Sequence, residues 1–341
     1  MSRRTHRTRF AAIGAAAILL AGFAVLSFGR RVSQGEPWLG VEWVRSASGV
    51  TALVVEPKSP AAEAGVLPGD VLLHVNGRNA DSVLRAADAP WRVPAGSGVR
   101  LEFRRGDSIV ETSIIPLRRL LAPRLYGFLS LIGAACFASG LLIVLNWPSV
   151  RGAGVYGALG FALFAHLVLS QTGAGDAFDW AVHWADVVAG ALVPALLAHL
   201  AWTLARGEVR GKRIVLTLGY GAAGVLIAGD VWLVGLGGSY RFEDPVRAAG
   251  WPDRWELGFF AVAAVASAIA IAVAFFQTPS RLHRSQLRWM LWGIGLGFGP
   301  FTAFYLLPFA TGNAVPGWGD LAVLSLVAVP AAFTAAMARY R

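Results

Sequence analysis

Eight runs of about twenty apolar residues dominate this chain: 10–28, 126–146, 153–171, 181–204, 214–236, 257–277, 289–309 and 319–338. A run of that length satisfies its backbone internally as a helix and matches the ~30 Å hydrocarbon core of a bilayer. Composition agrees. The 341 residues are 56% hydrophobic with mean hydropathy +0.57, too apolar for a soluble globular chain. The lipid bilayer is therefore an expected partner. The net charge is +10, but the basic residues gather at the ends of the apolar runs rather than in a patch, so no nucleic-acid partner is expected. The single cysteine, Cys136, lies inside a run and carries no redox information.

Arginine and lysine give the orientation. With the N-terminus inside, the inner segments hold fourteen: Arg3, Arg4, Arg7, Arg9, Arg151, Arg206, Arg210, Lys212, Arg213, Arg281, Arg284, Arg288, Arg339 and Arg341. The short outer loops hold Arg241, Arg247 and Arg254. That bias predicts cytoplasmic termini. The first run could be a cleaved signal, because Gly22-Phe23-Ala24 loosely resembles a cleavage site, but its apolar character continues to Phe28 and favours an uncleaved anchor.

Between the first two runs the pattern changes. Ala52–Val55, Val71–Val75, Val99–Phe103 and Ile109–Ile115 alternate like strands, and Pro-Gly-Asp, Asn-Gly and Arg-Gly-Asp turns separate them. Ser59-Pro60-Ala61-Ala62-Glu63-Ala64-Gly65 reads as a short helix capped by Ser59, and a second helix begins at Asp81-Ser82 and runs to about Pro90. Trp38-Leu-Gly-Val41, then Ser-Pro-Ala-x-x-Ala-Gly, Pro-Gly-Asp and Asn-Gly, resemble bacterial PDZ domains over about eighty residues, Trp38 to Arg118. The resemblance implies that Trp38, Leu39, Gly40 and Val41 form a carboxylate-binding loop, with Leu39 and Val41 lining the pocket for a peptide's last side chain. Leu84, Ala87 and Trp91, at helical spacing, are the expected far wall. The implied ligand is an extracytoplasmic peptide or protein C-terminus. Linkers of about eight residues on either side, each spanning at most ~28 Å, would hold the domain as a cap on two helices.

Several patterns look like chemistry. Gly152-x-Gly154-x-x-Gly157 and Gly219-x-Gly221-x-x-Gly224 satisfy a dinucleotide fingerprint literally, but both lie in apolar runs without a preceding strand, so they read as helix-packing glycines. Gly293, Gly295, Gly297 and Gly299 form two overlapping small-xxx-small pairs, and Pro300 and Pro308 are expected to kink that helix. No histidine is followed by glutamate, Ser139 lacks the intramembrane-protease serine context, and neither a catalytic site nor a cofactor is expected. Asp176, Asp179, His183 and Asp186 share one helical stripe, and Asp230 falls at a similar depth on the next run. His183, Asp186 and Asp230 are therefore a candidate proton- or metal-responsive cluster.

The C-terminal half resembles the membrane sensor region of bacterial histidine kinases of the ComP type. Leu192-Val-Pro-Ala-Leu-Leu-Ala-His199, Arg284-Ser-Gln-Leu-Arg-Trp-Met-Leu-Trp-Gly293, Gly299-Pro300 and Leu306-Leu-Pro308 carry that likeness, and Ala338-Arg339-Tyr340-Arg341 resembles the exit toward an output region. No phosphoacceptor box or ATP-binding glycine box is present, so kinase activity is expected only if an output domain follows Arg341. The expected fold class is α+β: a small β-rich PDZ domain inserted between helices of an all-α transmembrane bundle of about eight spans. Residues 1–9 form a basic cytoplasmic start, 10–28 the first span, 32–118 the extracytoplasmic domain, 126–338 a seven-helix sensor region, and 339–341 the start of a cytoplasmic tail. The expected role is a bacterial inner-membrane sensor, a homodimer, working through a cytoplasmic kinase output domain or partner. The alternative is a PDZ-bearing anchor in envelope quality control or secretion.

Overall fold

The computed structural model describes residues 3–94, 96–119, 123–173, 175–205, 212–242, 248–310 and 318–339. Arg206, Arg210, Arg247, Tyr340 and Arg341, used above for orientation and resemblance, lie outside them. Two compact units emerge: Gly29–Leu121 with Gln171–Trp180, and Met1–Phe28 with Ala122–Ser170 and Ala181–Arg341.

The first unit is built on antiparallel strands. β1 (Glu36–Trp38) pairs with β8 (Leu117–Arg119) in a small ribbon. The main sheet contains β2 (Val41–Ser46), β3 (Gly49–Val55), β4 (Val71–Val75), β6 (Val99–Arg105) and β7 (Ser108–Ile114), in the order β2-β3-β4-β6-β7, with β5 (Arg78–Asn79) on β4. Alternation sets the faces. Val99, Leu101 and Phe103 of β6 are buried with Val50, Ala52, Leu72 and Ile114, whereas Arg100 and Arg104 point out. Asn76 and Gly77 both have positive φ, as a two-residue hairpin turn between β4 and β5 requires.

Ser59 caps α2 (Pro60–Glu63): its hydroxyl accepts from the Ala62 N–H at 3.1 Å. Asp70 of the Pro-Gly-Asp turn is buried. It accepts from Leu67 N–H at 2.8 Å and takes both forks of Arg105, at 2.9 and 2.7 Å. This bidentate pairing offsets the desolvation of the carboxylate. The second helix is shorter than expected. α3 covers Val83–Asp88, and a 3-10 turn (Ala89–Trp91) replaces its end. Pro90 lacks the N–H that would continue the α-helical ladder, and the chain tightens into the 3-10 turn there.

Regular structure reaches into both expected linkers: α1 (Arg3–Gln34) ends shortly before β1, β8 ends at Arg119, and α4 (Pro123–Asn146) begins at Pro123.

The other helices are α5 (Ala153–Val168), α6 (Ala177–Leu204), α7 (Lys212–Asp230, extended by a π turn over Val231–Gly235), α8 (Trp251–Gln277), α9 (Arg281–Phe301) and α10 (Gly319–Arg339, with a 3-10 turn at Leu324–Val327). Among the described residues, six helices are long and apolar enough to cross a membrane: Ala11–Ser33, Arg124–Asn146, Ala177–Leu204, Lys212–Gly235, Trp251–Gln277 and Gly319–Arg339. α5 has only 16 residues, and α9 opens with Arg281, His283, Arg284 and Arg288, which separates both from that set. Large apolar side chains remain exposed along the helices, including Leu19, Val225, Val262 and Phe276, as a lipid-facing surface would require.

Glycines set two helix seams in the second unit. α5 meets α4 where Gly157 and Gly160 face Gly140: a Cβ on Gly160 would stand 2.5 Å from the Cys136 carbonyl oxygen. α9 meets α10 through Gly293 and Gly297, whose added Cβ atoms would stand 2.5 Å from Ala332 Cβ and 2.6 Å from Val329 Cγ2. Gly295 and Gly299, the other expected pair, meet nothing within 4 Å. After Pro300 the helix proceeds through a π turn, Thr302–Leu306, where an extra residue per turn absorbs the lost hydrogen bond.

Candidate peptide-binding site

The Trp38–Val41 loop owes its shape to its carbonyls. The Leu39 carbonyl accepts from the Ala61 N–H at 2.9 Å, and the Gly40 carbonyl accepts from the Glu56 N–H at 2.8 Å. The buried Ser59 hydroxyl adds a weaker bond to Gly40 at 3.4 Å. In a trans peptide the N–H points opposite to the C=O. Two consecutive carbonyls turned inward therefore turn the Gly40 and Val41 N–H groups outward. Successive outward N–H groups make an anion-binding nest. Gly40 reaches this geometry with φ of 77°, and an added Cβ would overlap Ser59.

β2 follows the loop at the edge of the sheet, and α3 packs beside it. An edge strand leaves alternate backbone groups free for another strand. The expected pocket residues divide. Leu39 is buried in the domain core, and Val41 is half-buried against it. Ala87 of α3 is exposed, while its neighbour Ala86 fills the core. The Leu84 side chain lies outside the described residues. Trp38 carries the Arg119 guanidinium over its ring, 4.6 Å from the centroid.

Trp91 lies on the 3-10 turn that directly follows α3. Its ring packs on Gly173, where a Cβ would stand 2.6 Å away. Gly173 belongs to Gln171–Trp180, a segment missed as part of this domain. Asp176 is the N-cap of α6 and accepts from the Asp179 N–H at 2.8 Å. Asp179 in turn accepts from Thr172 N–H and hydroxyl at 2.9 to 3.1 Å. Arg30 pairs with Asp176 at 2.9 Å and covers the Phe178 ring at 4.6 Å, and Arg31 donates to the Gln171 carbonyl. The Arg30 hydrogen bond, helped by the Asp179 N–H, holds the Asp176 carboxyl below its ordinary range. The Asp-x-x-Asp spacing was a readable capping signal. The pairing with Arg30, 146 residues away in sequence, left no local trace.

In the second unit, Asp186 bonds to a residue outside the expected cluster. His166 Nδ1 lies 2.9 Å from Asp186 Oδ1, and His166 Nε2 lies 3.5 Å from Glu256 Oε1. His183 stands edge-on to Trp184, and Asp230 is buried at the end of α7. Among the described residues no group of three His, Cys, Asp or Glu side chains could hold a metal ion.

Comparison with known proteins agrees with the loop geometry. Residues 37–115 match the family described as PDZ domain, so this stretch is a PDZ domain, a peptide-binding module. Among solved structures, the serine endoprotease from Yersinia pestis matches at 26% identity over 24% of this chain, with a TM-score of 0.22. The match spans 29% of that protein. No curated protein matches the chain.

Proposed function

We propose that the protein is a membrane-embedded receptor. Its PDZ domain takes the free C-terminus of an extracytoplasmic peptide or protein, and its helices pass the bound state inward across a bacterial inner membrane. The observation that carries the binding role is the pair of inward carbonyls at Leu39 and Gly40, which aims two N–H groups out of the domain beside a free strand edge. The ligand's carboxylate sits on those N–H groups, its backbone extends β2, and Val41 and Ala87 border the groove.

The sidedness rests on charge bias and on the segment Gln171–Trp180. That segment shares a compact unit with the PDZ domain, which supports α4 and α5 both crossing the bilayer between them. On this reading the short α5 counts as a span, α9 supplies another, and the total is eight. The output is a cytoplasmic kinase domain or partner, and the assembly is a homodimer. The kinase resemblance of the second half supports that class of output.

The binding role is tested with the purified protein in nanodiscs and a panel of peptides, each made with a free and an amidated C-terminus. Amidation removes the charge that the nest would hold, and it should weaken binding at least several-fold. Equal binding of the two forms would refute carboxylate recognition.

A further inference from the structure

We propose that His166, Asp186 and Glu256 form a proton-binding site that ties α5, α6 and α8 together when it is occupied. The argument starts from imidazole chemistry. A neutral imidazole has one N–H, and its other nitrogen presents a lone pair. Here both nitrogens face carboxyl oxygens, at 2.9 Å for Asp186 and 3.5 Å for Glu256. A lone pair against an ionised carboxylate repels. Both contacts are attractive only when the three groups hold one proton beyond a neutral imidazole and two carboxylates. That proton, taken from water, makes either an imidazolium or a carboxylic acid that donates to the imidazole. When it leaves, one contact must weaken, and the longer link to Glu256 is the one that opens.

Further ionisable groups stand near the site. Asp253 stands three residues before Glu256 on α8, His183 three before Asp186 on α6, and Asp230 ends α7 nearby. From α4, Tyr126 reaches this end of α5 and donates its hydroxyl to the Val168 carbonyl. Four carboxyl groups thus surround two imidazoles, and in a membrane-spanning bundle such an excess of negative charge is costly unless protons are taken up. Gly190 makes room for the arrangement. A Cβ there would overlap Glu256 Oε1 and stand 2.8 Å from His166 Nδ1. The device needs neither the peptide groove nor a particular sidedness.

The test follows backbone hydrogen exchange of the first turns of α8, on the full chain in nanodiscs, between pH 5 and 8 and corrected for intrinsic rates. Because the folded contact binds the proton, stability is present at low pH and lost as pH rises. Wild-type exchange should quicken by about tenfold across that range, as one proton released by the folded state allows. Glu256→Gln offers an amide N–H to the imidazole without titrating, so its exchange should stay slow and change less than about twofold. Gly190→Ala drives Glu256 from His166 sterically, so its exchange should be fast throughout. A flat wild-type profile would overturn the proposal, and so would a Glu256→Gln profile as steep as wild type. If Glu256→Gln does not fold, Gly190→Ala decides: a retained wild-type slope sinks the proposal, and a fast, flat profile supports it.

Discussion

Replacing Gly40 by alanine should disable the PDZ domain, and its two sources of strain can be separated. Gly40 has φ of 77°, where a residue with a Cβ loses about 1–2 kcal/mol. The added Cβ also overlaps Ser59. Ser59 cannot retreat, because it is fully buried and its hydroxyl caps α2. Overpacking of that kind costs about 1–3 kcal/mol. Gly77→Ala is the matched control: its φ is 75°, and a Cβ there meets nothing within 4 Å. The loss of unfolded-chain entropy common to both substitutions largely cancels between them. Gly40→Ala should therefore exceed Gly77→Ala by about 1–3 kcal/mol, roughly five- to 150-fold in the opening equilibrium. Hydrogen exchange at the core amides of β3, β4 and β6 in the full chain reads that equilibrium directly. Equal protection in the two variants would show that the loop is not pinned to Ser59. The inward carbonyls, and with them the carboxylate nest, would then have no support.

Further outcomes follow from other contacts. Asp70→Asn should destabilise the domain by about 2–4 kcal/mol in denaturant, since it leaves the Arg105 fork and the Leu67 N–H poorly matched at a buried site. Gly297→Val should loosen α9 from α10 and lower the melting temperature, whereas Gly295→Val, facing open space, should leave packing intact. Docking of the Gln171–Trp180 segment should weaken as pH falls below the ordinary carboxylate range, where Asp176 takes up a proton. Its carboxyl is held below the ordinary range, so the Arg30 pair contributes at higher pH and is lost as pH falls. With both side chains a third or more exposed, the effect should stay under about 1 kcal/mol and vanish in Asp176→Asn, read by exchange of that segment. Alkaline phosphatase fused after Arg118 should be active and after Arg210 inactive, and activity at Arg210 would reverse the orientation.

What the sequence disclosed depended on how local the cause was. The PDZ domain was legible because its determinants lie within a few residues of one another: Ser59 before Pro60, Asn76-Gly77 in a hairpin, the alternation of Val99, Leu101 and Phe103. The apolar runs were legible for the same reason. The spacing from Leu84 to Trp91 runs across Pro90, whose missing N–H coincides with the change from α-helix to 3-10 turn, a detail that helical spacing alone does not register. The glycines of α9 could not be ranked from sequence. All four are equivalent by spacing, and only the position of Ala332 and Val329 on α10 selects Gly293 and Gly297.

The polar stripe on α6 shows the same boundary most sharply. Helical periodicity put Asp176, Asp179, His183 and Asp186 on one face, yet it could not say what each side chain would meet. Two of them cap and brace the start of α6 beside Arg30, and Asp186 turns to His166 on α5, 20 residues earlier in the chain. His166 gave no sequence signal, sitting among apolar residues near a helix end, and Glu256 sits among aromatics on α8. What makes them a unit is the absent side chain of Gly190, which lets a carboxyl and an imidazole close over the α6 backbone. Periodicity identifies the helix face that bears charge. The small residue on that face decides which distant charge can reach it.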